Sequence, residues 1–184
     1  MCLIVDANAA GQFLAKPGAV RDWLLGDKGE PRLAAAGALR RELAKVEDVR
    51  RLIVQLERAG RLRTADQVAL DEAALHLRVD SRCRSNDHHV LAVAVVTGAR
   101  TLATFDKALA ADFKDGALIS RPRGSIYQNP EAHAHLLRHT PADLPSAAGR
   151  HFPCKPLAEH RLPSRGGNWV LSTLYFFGKA TPSA

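Results

Sequence analysis

Residues 85–109 read SNDHHVLAVAVVTGARTLATFDKAL, and the order of signals in this stretch decides how the chain is built. Ser85 or Asn86 can cap a helix, VLAVAVV is apolar nearly all round, and Gly98 supplies a stop. A helix without a polar face belongs in the centre of a fold. Thr101 to Thr104 then reads as a short strand leading to Asp106, with helix resuming from Lys107 to Phe113. Helix and strand alternating in this way predict a mainly parallel sheet covered on both faces.

The pattern continues in both directions. Cys2 to Val5 is a short apolar run ending at Asp6, which predicts a strand buried on both faces, with a helix starting near Asn8. Val20 to Leu25 reads as helical, GDKGEP as a loop, and Arg32 to Ala36 as a second, weaker strand closed by Gly37. From Ala38 to Ala59 the apolar positions Leu39, Leu43, Val46, Val49, Ile53 and Leu56 recur at helical spacing, predicting one long helix stopped at Gly60. Thr64 and Gln67 form a capping-box pattern for a further helix to about Leu77, with Ala69, Leu70, Ala73 and Leu77 inward. Ala117 to Ile119 reads as the last strand. Past Ser120, proline or glycine recurs every few residues, so elements there should be short. Pro130 to Arg138 can form one, and Trp169 to Phe177 is an aromatic-rich run. The expected organisation is an α/β domain over residues 1–125 and an irregular, basic, Pro/His-rich extension over 126–184.

Composition narrows the function classes. At 184 residues, with 46% hydrophobic and 24% charged side chains, the chain can build a real core and lacks the profile of a disordered one. Of the formal charge of +7, +5 falls in residues 120–184, where 8 Lys and Arg face 3 Asp and Glu, which suits a polyanionic partner. Cys2, Cys83 and Cys154 are odd in number and lack metal-ribbon spacing, so unpaired thiols in a reducing cytoplasm are expected. The start MCLIVDAN has neither a basic n-region nor a long apolar run, so no secretory signal is expected, and no run is long enough to span a membrane.

The chemistry lies in carboxylates. Glu42 stands three residues after Leu39 and four before Val46, on the face that otherwise points inward. Desolvated alone it would cost several kcal/mol, so it needs a salt bridge, a raised pKa or a cation; Lys45 is within helical reach. Asp6 and Asp106 each end a strand, and in open α/β sheets ligands bind outside the strands' carboxyl ends. Asp87 opens the apolar helix, where complementing the helix dipole is the bland alternative; Asp112 is a candidate fourth or fifth member of the group, with an ordinary exposed helix acid as the favoured reading. Converging acids repel one another unless a hard divalent cation, Mg²⁺ or Mn²⁺, takes their oxygens. Such ions support phosphodiester cleavage without a covalent nucleophile.

LIVDAN, GALRREL and the 85–109 stretch, with G-A-R-x-L-x-T-x-D intact, together resemble the PIN domain family over about residues 1–120. That resemblance implies a three-layer α/β/α fold and a metal-dependent endoribonuclease. It further implies an enzyme that is often the toxin of a toxin–antitoxin pair and commonly a homodimer, with RNA and an antitoxin protein as partners. Asp6, Glu42, Asp87 and Asp106 would carry over as metal-binding and catalytic acids, with Thr104 orienting the last and Asn8 a supporting or substrate contact. The 65 residues after Ile119 depart from the usual length of family toxins.

Two rivals accompany this reading. One is a degenerate PIN-fold module that binds RNA or protein without cutting; the other is a phosphoacceptor receiver domain, which would need paired acids after the first strand, where Asp6 stands alone. His88 and His89 read as surface histidines at a helix start, and His151, Cys154 and His160 lack a fourth zinc ligand. Arg121, Arg123, Arg138, Arg150, Lys155, Arg161 and Arg165 could track an RNA backbone or serve as a solubilising tail.

Overall fold

The computed structural model describes residues 2–26, 32–119 and 123–137. Within them lie five short strands, β1 (Leu3–Val5), β2 (Leu33–Ala34), β3 (Leu62–Arg63), β4 (Thr101–Ala103) and β5 (Ser125–Ile126). All pair in parallel, in the order β3-β2-β1-β4-β5. The helices are α1 (Ala7–Ala10), α2 (Ala19–Leu25), α3 (Gly37–Leu43), α4 (Glu47–Arg58), α5 (Gln67–Val79), α6 (His88–Thr97), α7 (Lys107–Lys114) and α8 (Pro130–His133). Gly11–Ala15 continues α1 as a π-helical turn, and Ala134–Leu137 follows α8 as a 3₁₀ turn.

The expected α/β architecture is present. From β1 the chain steps outward to β2 and β3, returns to β4 on the other side of β1, and ends at β5. Right-handed crossovers would send the helices of these opposed steps to opposite faces, which fits three layers. Burial follows the same plan: Leu3, Ile4 and Val5 are enclosed on both sides of β1, and α6 buries Val90, Leu91, Ala92, Val93 and Ala94 before Gly98 closes it at φ 75°. Leu70, Ala73 and Leu77 of α5 are the buried stripe of the helix that packs on α6.

Several elements differ from the sequence expectation, each for a local reason. The long helix over 38–59 is two helices, α3 and α4, with turn geometry between them. Val46, expected inside, is 40% exposed and sits as the extended cap of α4, whose first-turn Glu47 and Asp48 favour a new helix start. The fifth helix is capped by Asp66, which accepts from Ala69 N at 3.1 Å, and not by Thr64. Residues 117–119 form a turn and not a strand, because Asp115 gathers the Ala117 amide on its carboxylate and those of Leu118 and Ile119 on its carbonyl. The last strand among the described residues is β5, and the core continues past it through Tyr127 and Leu137.

β3 was not foreseen, since Leu62 and Arg63 carry no periodic signal and are ordered by pairing with β2. Cys2 is disulfide-bonded, against the expectation of unpaired thiols, while Cys83 is free. Among the described residues no helix is long and apolar enough to cross a membrane. The aromatic run 169–177, the His151/Cys154/His160 group and, of the basic residues expected to track an RNA backbone, all but Arg123 lie outside the described residues.

Candidate active site

Parallel pairing of the two central strands creates the site. Val5 is in register with Ala103, and the Asp6 amide donates to the Ala103 carbonyl at 2.9 Å, so the residues that leave β1 and β4 emerge side by side. Asp6 therefore meets Thr104, whose hydroxyl donates to Asp6 Oδ2 at 2.8 Å. The same hydroxyl oxygen accepts from the Asp106 amide at 3.0 Å and, more weakly, from Asn8 Nδ2 at 3.5 Å. Asn8 also accepts from the Phe105 amide at 3.2 Å. One fully buried hydroxyl thus ties β1's terminal acid to the Thr-x-Asp turn.

Asp6 is 5% exposed, and burial is the main reason its carboxyl titrates above the ordinary range. The Thr104 hydroxyl and the Ala7 amide oppose that shift. The neighbouring Asp87 charge adds to it, and His89 acts in the other direction. Asp87 and His89, 80 and more positions away in sequence, are therefore electrostatic neighbours of Asp6. Asp87 holds the cap position of α6 with its own amide on Ser85 Oγ at 3.0 Å, yet its carboxylate makes no capping hydrogen bond. The helix-dipole alternative is thus not realised as a cap, and the carboxylate is left available to the site.

Glu42 reaches the same region by another route. On α3 it pairs with His89 Nε2 at 3.0 Å, with side chains 36% and 25% exposed respectively. Lys45 is not the partner that answers Glu42. Asp106 is adjacent through its backbone, but its carboxylate accepts from the Leu109 amide at 2.8 Å and caps α7. The fold accordingly joins Asp6, Asn8 and Thr104 directly, leaves Asp87 as a charge that acts on Asp6, pairs Glu42 with His89, and turns the Asp106 carboxylate to helix capping.

Two residues discounted on sequence, His89 and Asp112, take part in the structure here, and a third, Gln128, carries no sequence signal. His89 was set aside as a surface histidine, although its place two residues after Asp87 was the available signal. Gln128 donates from Nε2 to the Thr104 carbonyl at 2.8 Å, fixing the turn from β5, and nothing local in the sequence marks it. Asp112, read as exposed, is 3% exposed and accepts from the amides of Arg84 and Ser85 at 2.8 and 2.7 Å.

Among the described residues no three His, Cys, Asp or Glu side chains converge as a ready metal-holding group. A desolvated Asp6, with the uncapped Asp87 as a charge that acts on it, fits the one or two acids plus water that a hard divalent cation takes. Comparison with models of protein families, with curated proteins and with solved structures finds no match.

Proposed function

We propose that this chain is a PIN-type, Mg²⁺- or Mn²⁺-dependent endoribonuclease that hydrolyses RNA phosphodiester bonds. One observation carries the reading: the buried Asp6 carboxylate at the end of the central strand is held at 2.8 Å by the Thr104 hydroxyl of the adjoining Thr-x-Asp turn. A desolvated carboxylate with another acid's charge acting on it is an arrangement that a cation relieves. The order of Asp6, Glu42, Asp87 and Thr104-x-Asp106, and their resemblance to the PIN pattern, supply the identity of the chemistry.

In this reading Asp6 and Asp87 would hold the ion, with Glu42, now paired with His89, as a further acid for it. Bound there, Mg²⁺ or Mn²⁺ supplies an activated water and neutralises charge on the phosphoryl oxygens. The chain's own part is orientation. Thr104 fixes the Asp6 oxygen, Asn8 and Gln128 hold the 104–105 turn, and Asp106, by capping α7, anchors the far side of that turn. We extend the proposal to a cytoplasmic homodimer acting as the toxin of a toxin–antitoxin pair. A small open reading frame encoding an antitoxin next to this gene would support that extension.

The test is cleavage of RNA by the purified protein in Mg²⁺ or Mn²⁺. Asp6→Asn and Asp87→Asn should each abolish it, and undiminished cleavage by either ends the proposal. The second reading, a PIN-fold module that binds RNA or protein without cutting, is favoured by Glu42 being engaged with His89 and Asp106 with α7. Absence of Mn²⁺ binding in calorimetry, with salt-sensitive RNA binding retained, would select it.

A further inference from the structure

We infer that Asp112 is a positioning residue for the candidate site: from α7 it holds the 83–85 turn, and through Ser85 it sets the backbone that presents Asp87 to Asp6. The inference rests on the reading of Asp6 and Asp87 as the ion-holding pair. A carboxylate 3% exposed on a helix needs its charge answered locally. Asp112 Oδ2 receives the Arg84 amide at 2.8 Å, the Ser85 amide at 2.7 Å and the Cys83 thiol at 3.4 Å. Successive backbone amides turned onto one anion form a compact concavity that fixes the backbone donating them. Burial and Asp112 itself push the Cys83 thiol up to about 11, so it stays protonated and remains a donor.

The next link is Ser85, itself 4% exposed, whose Oγ accepts the Asp87 amide at 3.0 Å. Asp87 is thus held by its backbone while its side chain makes no capping bond. Without such an anchor, the Asp87 carboxylate would be free to turn back and cap α6, the usual fate of an aspartate at that position. Asp112 also stands on the helix that Asp106 caps, so α7 couples the two late acids of the site. None of these contacts lies within Asp112's own neighbourhood in sequence, 27 and 28 positions away.

The test combines Mn²⁺ calorimetry with amide spectra of the full chain. Asp112→Ala should weaken Mn²⁺ binding about 10- to 100-fold, the range seen when residues supporting metal ligands are lost. Asp112→Asn, which keeps the shape and a neutral acceptor, should lose less and guards against a variant that fails to fold. In an Asp87→Asn background, Asp112→Asn should have no further effect on Mn²⁺ affinity, since the residue acts through Asp87. The Asp87 amide resonance should move in Asp112→Asn although the two side chains do not touch. Unchanged Mn²⁺ affinity together with an unmoved Asp87 amide, or equal losses in both backgrounds, overturns the inference. A wild-type chain that binds no Mn²⁺ ends the nuclease reading instead, and the Asp87 amide alone then decides whether Asp112 positions that turn.

Discussion

The Thr104 hydroxyl donates to Asp6 Oδ2 at 2.8 Å across the β1–β4 seam, and among the described residues it is the one side-chain hydrogen bond that orients the buried acid. Replacing the hydroxyl by a methyl keeps the volume and removes the donor. Thr104→Val should therefore lower RNA cleavage about 10- to 100-fold, the effect of losing a partner of a metal ligand. It should also raise the Asp6 pKa further, because that bond opposes the upward shift. A cleavage assay across pH reads both, and wild-type activity with an unmoved acidic limb would contradict the role.

Asp6 also makes stability depend on pH. Its pKa is raised in the folded state, so folding favours the protonated form, and the favourable contribution is complete below the unfolded value of about 3.9. It is lost as pH rises through the folded pKa, above which the buried carboxylate carries its charge. Metal-free Asp6→Asn should accordingly be more stable than wild type at pH 7, with the difference vanishing towards pH 3. Melting curves in chelator at several pH values check this, and a variant less stable at pH 7 would refute it.

The Glu42–His89 pair separates competing uses of one carboxylate. If Glu42 serves the ion, His89 competes for it, so His89→Ala should leave Mn²⁺ affinity equal or tighter while Glu42→Gln weakens it about tenfold. Calorimetry on the two variants decides between them. Weaker Mn²⁺ binding by His89→Ala would instead make the histidine part of the ion's own surroundings.

The sequence disclosed what is carried by local pattern. The apolar run of β1, the unpolarised α6 and its glycine stop required only hydropathy and turn chemistry, and they sufficed for a parallel α/β fold. Asp6 and Asp87 stood out as candidates because strand ends and helix starts are where such folds place acids for a ligand. What depends on partners remote in sequence was not legible. His89 gained its role from α3, Gln128 from β4's exit, and Asp112 from a loop on another element. The break at Val46 and the short β3 are tertiary outcomes too, since intrinsic periodicity alone favoured a continuous helix and no strand.

Tyr127 follows β5 and is fully buried, and its hydroxyl finds no hydrogen-bond partner among the described residues. An unsatisfied buried hydroxyl is unfavourable by about 1–3 kcal/mol. Its ring meanwhile packs edge-on against Phe13 at 5.4 Å between centroids, a contact phenylalanine preserves. Tyr127→Phe should thus be neutral or stabilising in chemical denaturation. A loss greater than about 1 kcal/mol would mean the hydroxyl is satisfied after all.

Gly124 offers the sharpest separation of fold from site. A Cβ placed there would lie 2.3 Å from the Phe113 carbonyl oxygen and 2.4 Å from the Phe113 ring, far inside contact distance, and Phe113 is itself fully buried in α7. Neither backbone nor ring can yield cheaply, so Gly124→Ala must push β5 away from α7, at a cost of about 1–3 kcal/mol or more. β5 hangs on β4 through Ser125 N to Arg100 O and Tyr127 N to Leu102 O, both 2.8 Å, and just beyond it Gln128 holds the Thr104 carbonyl. Displacing the strand therefore loosens the turn that orients Asp6, and the variant should lose activity beyond what its unfolded fraction explains. Gln128→Ala, which spares the packing, should reproduce the activity loss without the stability loss. If Gly124→Ala melts like wild type, the close approach of β5 to α7 is wrong. If Gln128→Ala cleaves RNA at the wild-type rate, the link from the sheet edge to Thr104 has no part in orienting Asp6.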